Sequence, residues 1–305
     1  MGNVKMKGYA YGVIASVSYG LNPLFALPLY AAGIGVDSVL FYRYGFAAVL
    51  LALMVKFSGQ GFGLKRKELL PLMVMGLLFS FSSLFLFESF NYMDAGVAST
   101  ILFTYPVIVA VIMAVFFKER LSVVKLASIA TAFVGITMLY EGEGGATLDL
   151  TGVCYVLASS LVYALYIVGV NRSVLKDMPG LKLTFYAILF GMAVYVVRLR
   201  GGMDLQPLTE GWQWMDAAGL ALLPTLLSMV AIAKAIHYIG PTPTAILGAL
   251  EPLTALGVGV LVFHEKLTGG NMVGIALVLA AVTLIAVGPA GWARLKAARH
   301  RHPAG

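Results

Sequence analysis

Charge and cysteine are both scarce in this chain. Charged residues make up 11% of its 305 positions, against roughly 25% in a typical soluble domain. Cys154 is the single cysteine, which excludes an internal disulfide and a cysteine-based metal site. The four histidines are dispersed, and neither a His-Glu-x-x-His motif, a P-loop nor a recognisable nucleophile and base pair occurs. We therefore expect no metal, no other cofactor, no ATP hydrolysis and no enzymatic activity.

Hydrophobic sequence fills the chain instead. Hydrophobic residues reach 60% and mean hydropathy is +0.90. One apolar run follows another, each close to the ~20 residues that cross a ~30 Å hydrocarbon core. Such runs predict transmembrane helices, because a segment in lipid has to close its backbone hydrogen bonds internally. Ten spans are predicted, near residues 8–32, 37–57, 69–93, 96–117, 123–140, 150–170, 181–199, 214–238, 243–263 and 271–289.

The distribution of Lys and Arg predicts the orientation of these spans. If the N-terminus is cytoplasmic, sixteen Lys and Arg residues lie on cytoplasmic segments, and only Arg198, Arg200 and Lys266 lie outside. By the positive-inside rule, both chain ends then face the cytoplasm of a multi-pass inner-membrane protein. Topology thus explains the net charge of +7. We expect the basic tail from Arg294 to His302 to contact lipid headgroups rather than nucleic acid.

A repeat divides the chain into two halves. The segment from Leu102 to Ser122 and the segment from Gly248 to Thr268 each contain a proline followed thirteen residues later by a glutamate. Five spans in each half would make the second copy enter the membrane from the opposite side. We therefore predict two inverted five-helix repeats, residues 1–145 and residues 146–305, the second with the basic tail. A shift of 144 to 146 residues also superimposes Gly8 on Gly152, Tyr11 on Tyr155, Tyr19 on Tyr163, Phe41-Tyr42 on Phe185-Tyr186, Ser82 on Ser228 and Tyr92 on Tyr238.

These features resemble the EamA-type members of the drug/metabolite transporter superfamily. The resemblance covers the whole chain, and its most specific element is the proline followed by a basic-Glu-basic-Leu-Ser/Thr end, at Lys118 to Ser122 and at His264 to Thr268. Within that family, the runs Tyr19 to Phe25 and Phe41 to Tyr44 are similar to bacterial exporters of aromatic and other amino acids. The resemblance implies efflux of small metabolites through a central cavity between the two halves.

Pro106 and Pro252 lie near the middle of spans four and nine. Each removes a helical hydrogen-bond donor and clashes with the preceding turn, so both spans should kink. Alternating access needs hinges, and equivalent positions in the two halves supply one for each gate. The alternative is a static bend that only improves packing.

Four charges lie inside apolar spans, where each costs on the order of 2.5–3.5 kcal/mol unless paired or hydrated. Arg43 and Glu88 lie at one depth, roughly 9 Å from the outside ends of their helices. We predict an ion pair between spans two and three; alternatively, Arg43 meets a substrate carboxylate or Glu88 carries a coupling proton. Glu251 occupies the position of Tyr105 in the other half. It either serves coupling or substrate-amine binding, or pairs with Lys234.

Polar and aromatic residues of the spans predict what the cavity accepts. Hydroxyl and amide groups can bind an ammonium or a carboxylate, and tyrosine rings can stack on a side chain. The nearly neutral set fits a zwitterion or small neutral solute and disfavours phosphorylated sugars. Some of these residues, such as Ser159 and Ser160, are equally explained as helix contacts. The predicted cavity residues are Tyr19, Asn22, Tyr42, Ser82, Thr104, Tyr105, Tyr163 and Glu251.

The sequence therefore predicts a transporter that exports amino acids, aromatic and other neutral ones, or similar metabolites. Its partners would be a small-molecule substrate, membrane lipids and, if transport is coupled, protons. An alternative is proton-coupled efflux of cationic or drug-like compounds, with Glu88 or Glu251 as the cation or proton site. A membrane scaffold or receptor without transport is the alternative from another class. An inverted repeat with paired midspan prolines argues against it, because a scaffold needs neither.

Overall fold

The computed structural model describes residues 2–59, 61–118, 123–140, 149–239, 244 and 247–299. All regular elements within these ranges are helical, as predicted for an all-α membrane protein. A 3₁₀ turn covers Arg200–Gly202, and a π-helical segment covers Ala221–Leu227. The α-helices are α1 (Gly2–Gly20), α2 (Asn22–Ala31), α3 (Val36–Phe57), α4 (Arg66–Ser89), α5 (Ala95–Leu102), α6 (Tyr105–Phe117), α7 (Val123–Tyr140), α8 (Leu150–Arg172), α9 (Gly180–Arg198), α10 (Gly211–Leu220), α11 (Ser228–Ile239), α12 (Leu250–Val262) and α13 (Gly269–Arg299).

Seven helical segments in the described ranges are long and apolar enough to cross a membrane. Three of them join neighbouring elements: α1 with α2, α5 with α6, and α10 with the π segment and α11. Shorter apolar helices at Leu126–Met138, Leu250–Val262 and Gly269–Leu284 coincide with predicted spans five, nine and ten. The chain is thus a multi-pass helical membrane protein.

Proline interrupts the helices where the backbone loses a donor. Helix α1 ends at Gly20, and α2 begins with Pro23 in its first turn. The fourth span is broken rather than merely bent, because α5 ends at Leu102 and α6 begins at Tyr105, immediately before Pro106. An equivalent turn at 248–249 precedes α12, which carries Pro252. Each break frees backbone groups that have to be satisfied inside the protein.

Contacts between loops and helix ends define two faces of the bundle. On the N-terminal face, the Tyr186 hydroxyl donates to the Phe62 carbonyl and Lys182 Nζ donates to the Gly63 carbonyl. Gly8, near the chain start, packs against Ile239 at the end of α11 on this same face.

The opposite face is held by charged and amide side chains. Arg198 Nε lies 2.5 Å from Asp37 Oδ1, and its Nη2 lies 3.5 Å from Glu88 Oε1. The Gly35 amide donates to Gln206 Oε1 at 2.5 Å. These bonds join the ends of α3, α4 and α9 to the loop that follows α9.

The main helix contacts pair α1 with α11, α4 with α8 and α9, α3 with α9, α5 with α12, and α7 with α13. A buried polar network lies where α3, α4 and α9 meet. The Tyr44 hydroxyl is 2.9 Å from Ser83 Oγ, and its ring centroid is 4.9 Å from that of Tyr195. The Tyr195 hydroxyl donates to the Ser80 carbonyl at 3.0 Å. Because both tyrosine hydroxyls have a partner, this network holds α3, α4 and α9 together beside the cavity.

Candidate functional site

A cavity of about 540 Å³ lies between α1, α3, α6, α8, the π segment, α11 and α12. Its volume is in the range of small-molecule sites. Most of the lining is apolar. Towards the N-terminal face it includes Met113, Ile167 and Ile236, each in the half of its helix that leads to that face. The polar lining residues are Ser16, Tyr19, Arg43, Tyr105, Tyr163, Thr225, Ser228, Thr244 and Glu251.

Four interruptions of the helices border this cavity. Tyr19 lies beside the break after Gly20, and Phe103 belongs to the break between α5 and α6. Pro224 lies inside the π segment, and Gly248 belongs to the turn before α12. Discontinuous helices near the midplane are typical of substrate sites in membrane transporters.

Three of the predicted tyrosines come together on the wall. The Tyr105 and Tyr163 ring centroids are 4.8 Å apart at an interplanar angle of 82°, which is an edge-to-face contact. Tyr163 also stacks on Tyr166 at 5.9 Å, and Phe79 lies 5.4 Å from Tyr166. Tyr19 is close enough to Tyr105 and Tyr163 to interact with both electrostatically. Tyr105, Tyr163 and Phe79 thus form an aromatic surface on the cavity wall that an aromatic or aliphatic side chain could contact.

Glu251 is the one acidic side chain among the described lining residues. It lies within electrostatic range of Tyr19, Tyr105 and Tyr163. The structure does not bring it to Lys234, whose Nζ instead lies 5.0 Å from the centroid of the Tyr11 ring. In the described ranges no cation pairs with the Glu251 carboxyl group, which faces the tyrosines of the cavity wall.

Arg43 is the cationic group of the cavity and is 3% exposed. Its Nε donates to Thr225 Oγ1 at 3.2 Å, and its Cζ lies 5.1 Å from the centroid of the Phe87 ring. Its guanidinium also lies close to the Tyr19 hydroxyl. The structure does not form the predicted pair with Glu88, which binds Arg198 on the opposite face. Equal depth on two helices does not make two side chains point at each other.

Four of the predicted cavity residues, Asn22, Tyr42, Ser82 and Thr104, lie outside the cavity lining. Asn22 Nδ2 donates to the Tyr19 carbonyl at 2.8 Å and so satisfies the break after α1. The Tyr42 hydroxyl donates to the Gln206 carbonyl at 3.1 Å on the opposite face. Ser82 Oγ lies 3.1 Å from Ser159 Oγ in the contact of α4 with α8.

Thr104 and the two predicted hinge prolines lie at the breaks themselves. The Thr104 hydroxyl donates to the Ile101 carbonyl at 2.7 Å between α5 and α6. Pro252 is buried in the first turn of α12, whereas Pro106 lines the cavity directly.

Sequence reasoning missed the π segment and its role. Thr225 is one of many hydroxyl residues in the spans and did not stand out, although it contacts Arg43 directly. The available signal was Pro224 inside an otherwise uninterrupted apolar span, because a proline there frees a carbonyl that needs another donor.

A carboxylate closes the space between α5 and α12 on the opposite face. The Ala95 amide donates to Glu265 Oε1 at 3.0 Å. Glu265 fits there because residue 259 is glycine: a Cβ at Gly259 would lie 1.9 Å from Glu265 Oε2. The chain reaches this position through His264, a left-handed residue with φ 57°. The equivalent glutamate of the first half, Glu119, lies outside the described residues.

A helical membrane bundle whose broken helices surround a polar and aromatic cavity is the architecture of a small-molecule transporter. The sequence profile of the EamA-like transporter family matches residues 6–141 and 150–287. The chain therefore belongs to the EamA-like transporter family, and the resemblance predicted from its motifs is confirmed. Membership of a transporter family points away from an enzyme.

Individual relatives agree with this assignment. An uncharacterized transporter of Archaeoglobus fulgidus is 27% identical over 285 residues, covering 91% of this chain and 95% of its own length. A Salmonella typhimurium protein named as a probable amino-acid metabolite efflux pump is 26% identical over 246 residues, covering 76% and 82%. One solved crystal structure superposes with a TM-score of 0.62 over 93% of this chain and 96% of that chain. At 14% identity it supports the fold alone.

Glu265 predicts a pH dependence of stability. Burial raises the pKa of its carboxyl, and the charge of Asp94 adds to this, although the Ala95 N–H donation lowers it in part. A raised folded-state pKa contributes stability that is present at low pH and is lost as pH rises through that pKa. Glu265→Gln mimics the protonated form. We expect its melting temperature to rise relative to the wild-type protein as pH increases above the ordinary carboxyl value of 4.5.

Thermal unfolding of the detergent-solubilised proteins between pH 4 and pH 8 measures this difference. Asp177→Asn, which alters an exposed carboxylate on the N-terminal face, is the matched control and should not change with pH in the same way. Parallel profiles for the wild-type protein and Glu265→Gln would show that this carboxyl titrates as in the unfolded chain.

Proposed function

We propose that this chain exports amino acids, aromatic and other neutral ones, across the inner membrane by alternating access. The observation that carries the proposal is that Arg43 and Glu251 line the same cavity, each near Tyr19, in a lining that is mostly apolar and aromatic. A zwitterion presents both charges that these two groups complement. Arg43 would bind the carboxylate and Glu251 the ammonium, while the tyrosine surface contacts the side chain.

The balance of charge favours a zwitterion over other metabolites. A buried charge without a partner is costly in a membrane protein, so a substrate that neutralises both groups gains from both. One guanidinium is too little for a nucleotide sugar or a phosphorylated sugar, which carries more negative charge. The similarity to the Salmonella typhimurium protein named as a probable amino-acid metabolite efflux pump supports the same substrate class.

Reciprocal hydrogen bonds support the proposal of two inverted halves. The Tyr42 hydroxyl donates to the Gln206 carbonyl, and the Tyr186 hydroxyl donates to the Phe62 carbonyl. A shift of 144 residues carries Tyr42 to Tyr186 and Phe62 to Gln206. One bond thus lies on each face, as expected for a two-fold relation between residues 1–145 and residues 146–305.

Reciprocal aromatic pairs independently support the proposal of two inverted halves. Tyr11 stacks on Tyr238 with centroids 5.9 Å apart, and Tyr155 stacks on Tyr92 at 5.7 Å. Tyr155 follows Tyr11 by 144 residues, and Tyr238 follows Tyr92 by 146 residues, so both pairs fit the same repeat. The family profile also matches twice, over 6–141 and 150–287. Seven spans and three shorter apolar helices would then make ten crossings.

The proposed orientation places both chain ends in the cytoplasm, on the evidence of Lys and Arg. The cavity lining then extends towards the cytoplasm, and the bonds of Arg198 and Glu265 close the outer side. In the outward-facing state these bonds would open, and the halves of spans four and nine near Pro106 and Pro252 would move. Either the substrate gradient or protons would drive export.

Efflux of cationic compounds is the second candidate. Glu251 beside three tyrosines favours it, because a desolvated cation gains from a carboxylate and from aromatic faces together. Arg43 in the same cavity repels such a ligand, which is why we prefer the zwitterion.

If transport responds to a pH gradient, Glu251→Gln or Glu88→Gln should remove that response.

Flux through liposomes tests the substrate class. Vesicles that contain the protein should exchange labelled phenylalanine above empty vesicles. Arg43→Gln and Glu251→Gln should each lower this exchange about tenfold or more, since each removes a hydrogen-bonded charge partner. Lys234→Gln removes a charge from α11 at a residue that does not line the cavity; it is the matched control and should retain exchange. Phenylalanine flux equal to that of empty vesicles, together with uptake of organic cations, would favour the second candidate.

The hinge role of the prolines gives a separate prediction. Pro106→Ala and Pro252→Ala restore a backbone donor and stiffen the breaks, so we expect slower exchange with substrate binding nearly unchanged. Pro71→Ala is the matched control, because Pro71 also lies inside a helix but not at the cavity. Equal exchange rates in all three variants would leave the prolines as static bends.

A further inference from the structure

We propose that Thr225 is a positioning residue for substrate recognition: it fixes the Arg43 guanidinium so that its free edge meets a carboxylate in the cavity. The inference rests on the proposed function, because it assumes that Arg43 binds the substrate carboxylate. Thr225 would thus contribute to recognition from a different helical segment than Arg43, and the π segment between α10 and α11 would serve to place it.

Pro224 leaves one helix carbonyl without its usual donor. Pro224 has no N–H, so the carbonyl of Leu220, four residues earlier, cannot receive the bond that a regular helix would give it. In the π-helical turn the backbone N–H of Thr225, five residues on, takes the place of this donor, and the Thr225 hydroxyl also donates to the same carbonyl at 3.1 Å. The chain adopts its π-helical turn over Ala221–Leu227, and this turn brings residue 225 into reach of residue 220. Such single turns frequently occur at functional sites.

The bond from Thr225 to Leu220 determines which partner donates in the bond between Thr225 and Arg43. A hydroxyl carries one proton, and the Thr225 proton is committed to the Leu220 carbonyl. Towards Arg43 the same oxygen can therefore only accept. The Arg43 Nε–H donates to it at 3.2 Å, and both side chains are 3% exposed. Without this acceptor, the Nε–H would be a buried donor of a charged group with no partner in the described structure.

These contacts leave one edge of the guanidinium for the ligand. With Nε bound to Thr225 and the Phe87 ring 5.1 Å from the guanidinium carbon, side-on binding through Nε is blocked. The two Nη groups remain beside the Tyr19 hydroxyl, which interacts with the guanidinium, and a carboxylate accepts such a pair in a planar, bidentate arrangement. Tyr19, whose hydroxyl lies close to the guanidinium, faces the same space and completes the site.

Selectivity between two ligands separates positioning from simple stability. Phenylalanine and phenethylamine share the ring and the amine, and only phenylalanine has a carboxylate. Thr225→Val keeps the shape of the side chain and removes the hydroxyl. We expect it to weaken phenylalanine binding about tenfold or more, the loss typical of a hydrogen bond to a charged group, and to leave phenethylamine binding within about twofold. Thr225→Ser keeps the hydroxyl and should restore phenylalanine binding to within about threefold of wild type.

The measurement is displacement of labelled ligand from the purified full-length protein, with Arg43→Gln alongside. Thr225→Val in the Arg43→Gln background should have no further effect on phenylalanine. Selectivity that is lost in Arg43→Gln but intact in Thr225→Val would overturn the proposal and leave the proposed function standing. No preference for the carboxylate in the wild-type protein would instead overturn the proposed function itself.

Equal weakening of both ligands by Thr225→Val would assign the residue a purely structural role and overturn the proposal. If Thr225→Val does not yield a monodisperse protein, Thr225→Cys replaces it, because a thiol keeps a similar volume but is a weak acceptor. Thr225→Cys should show the same selective loss of phenylalanine binding. Unchanged selectivity in that variant would also overturn the proposal.

Discussion

Backbone hydrogen bonding in lipid is the constraint on which the rest of this structure depends. A transmembrane helix can break only where protein or a water-filled cavity satisfies the freed groups. The breaks near Gly20, Phe103 and Gly248 and the π turn at Pro224 all border one cavity. The same places that cost the fold regular hydrogen bonds thus supply polar groups to the cavity, and the candidate site lies where the helices are least regular among the described residues.

Charged side chains, like helix breaks, lie where a ligand, water or another side chain can compensate them. Arg43 and Glu251 lie at the cavity, where a ligand or water can compensate them. The ion pairs of Arg198 lie at the opposite face, where they join α3, α4 and α9. Closure of that face therefore uses exposed or half-buried polar bonds, and these can be exchanged for water at little cost. An apolar seal would be harder to open, so the distribution of charge suits a protein that alternates between two states.

Periodic and compositional features were predictable from the sequence, whereas side-chain direction was not. Apolar runs predicted the helices, and Pro106 predicted the break in the fourth span. Residue spacing along the spans placed Arg43 and Glu88 at the same depth but could not give their direction around the helix axis. The contact of Arg43 with Thr225 and that of Glu88 with Arg198 were therefore not predicted. Polarity alone also cannot separate a cavity residue from one that satisfies a turn, as Asn22 does.

Substrate protection of a cavity residue tests the central claim most directly, namely that the cavity at the helix breaks is the transport site. Met113→Cys, in a background where Cys154 is replaced by serine, places one thiol in the lining. A membrane-impermeant thiol reagent added on the N-terminal face should label it, and phenylalanine should slow that labelling. Asp177→Cys, on the surface of the same face, should react at one rate with or without phenylalanine. Labelling rates that phenylalanine leaves unchanged at both positions would contradict the claim that this cavity is the transport site.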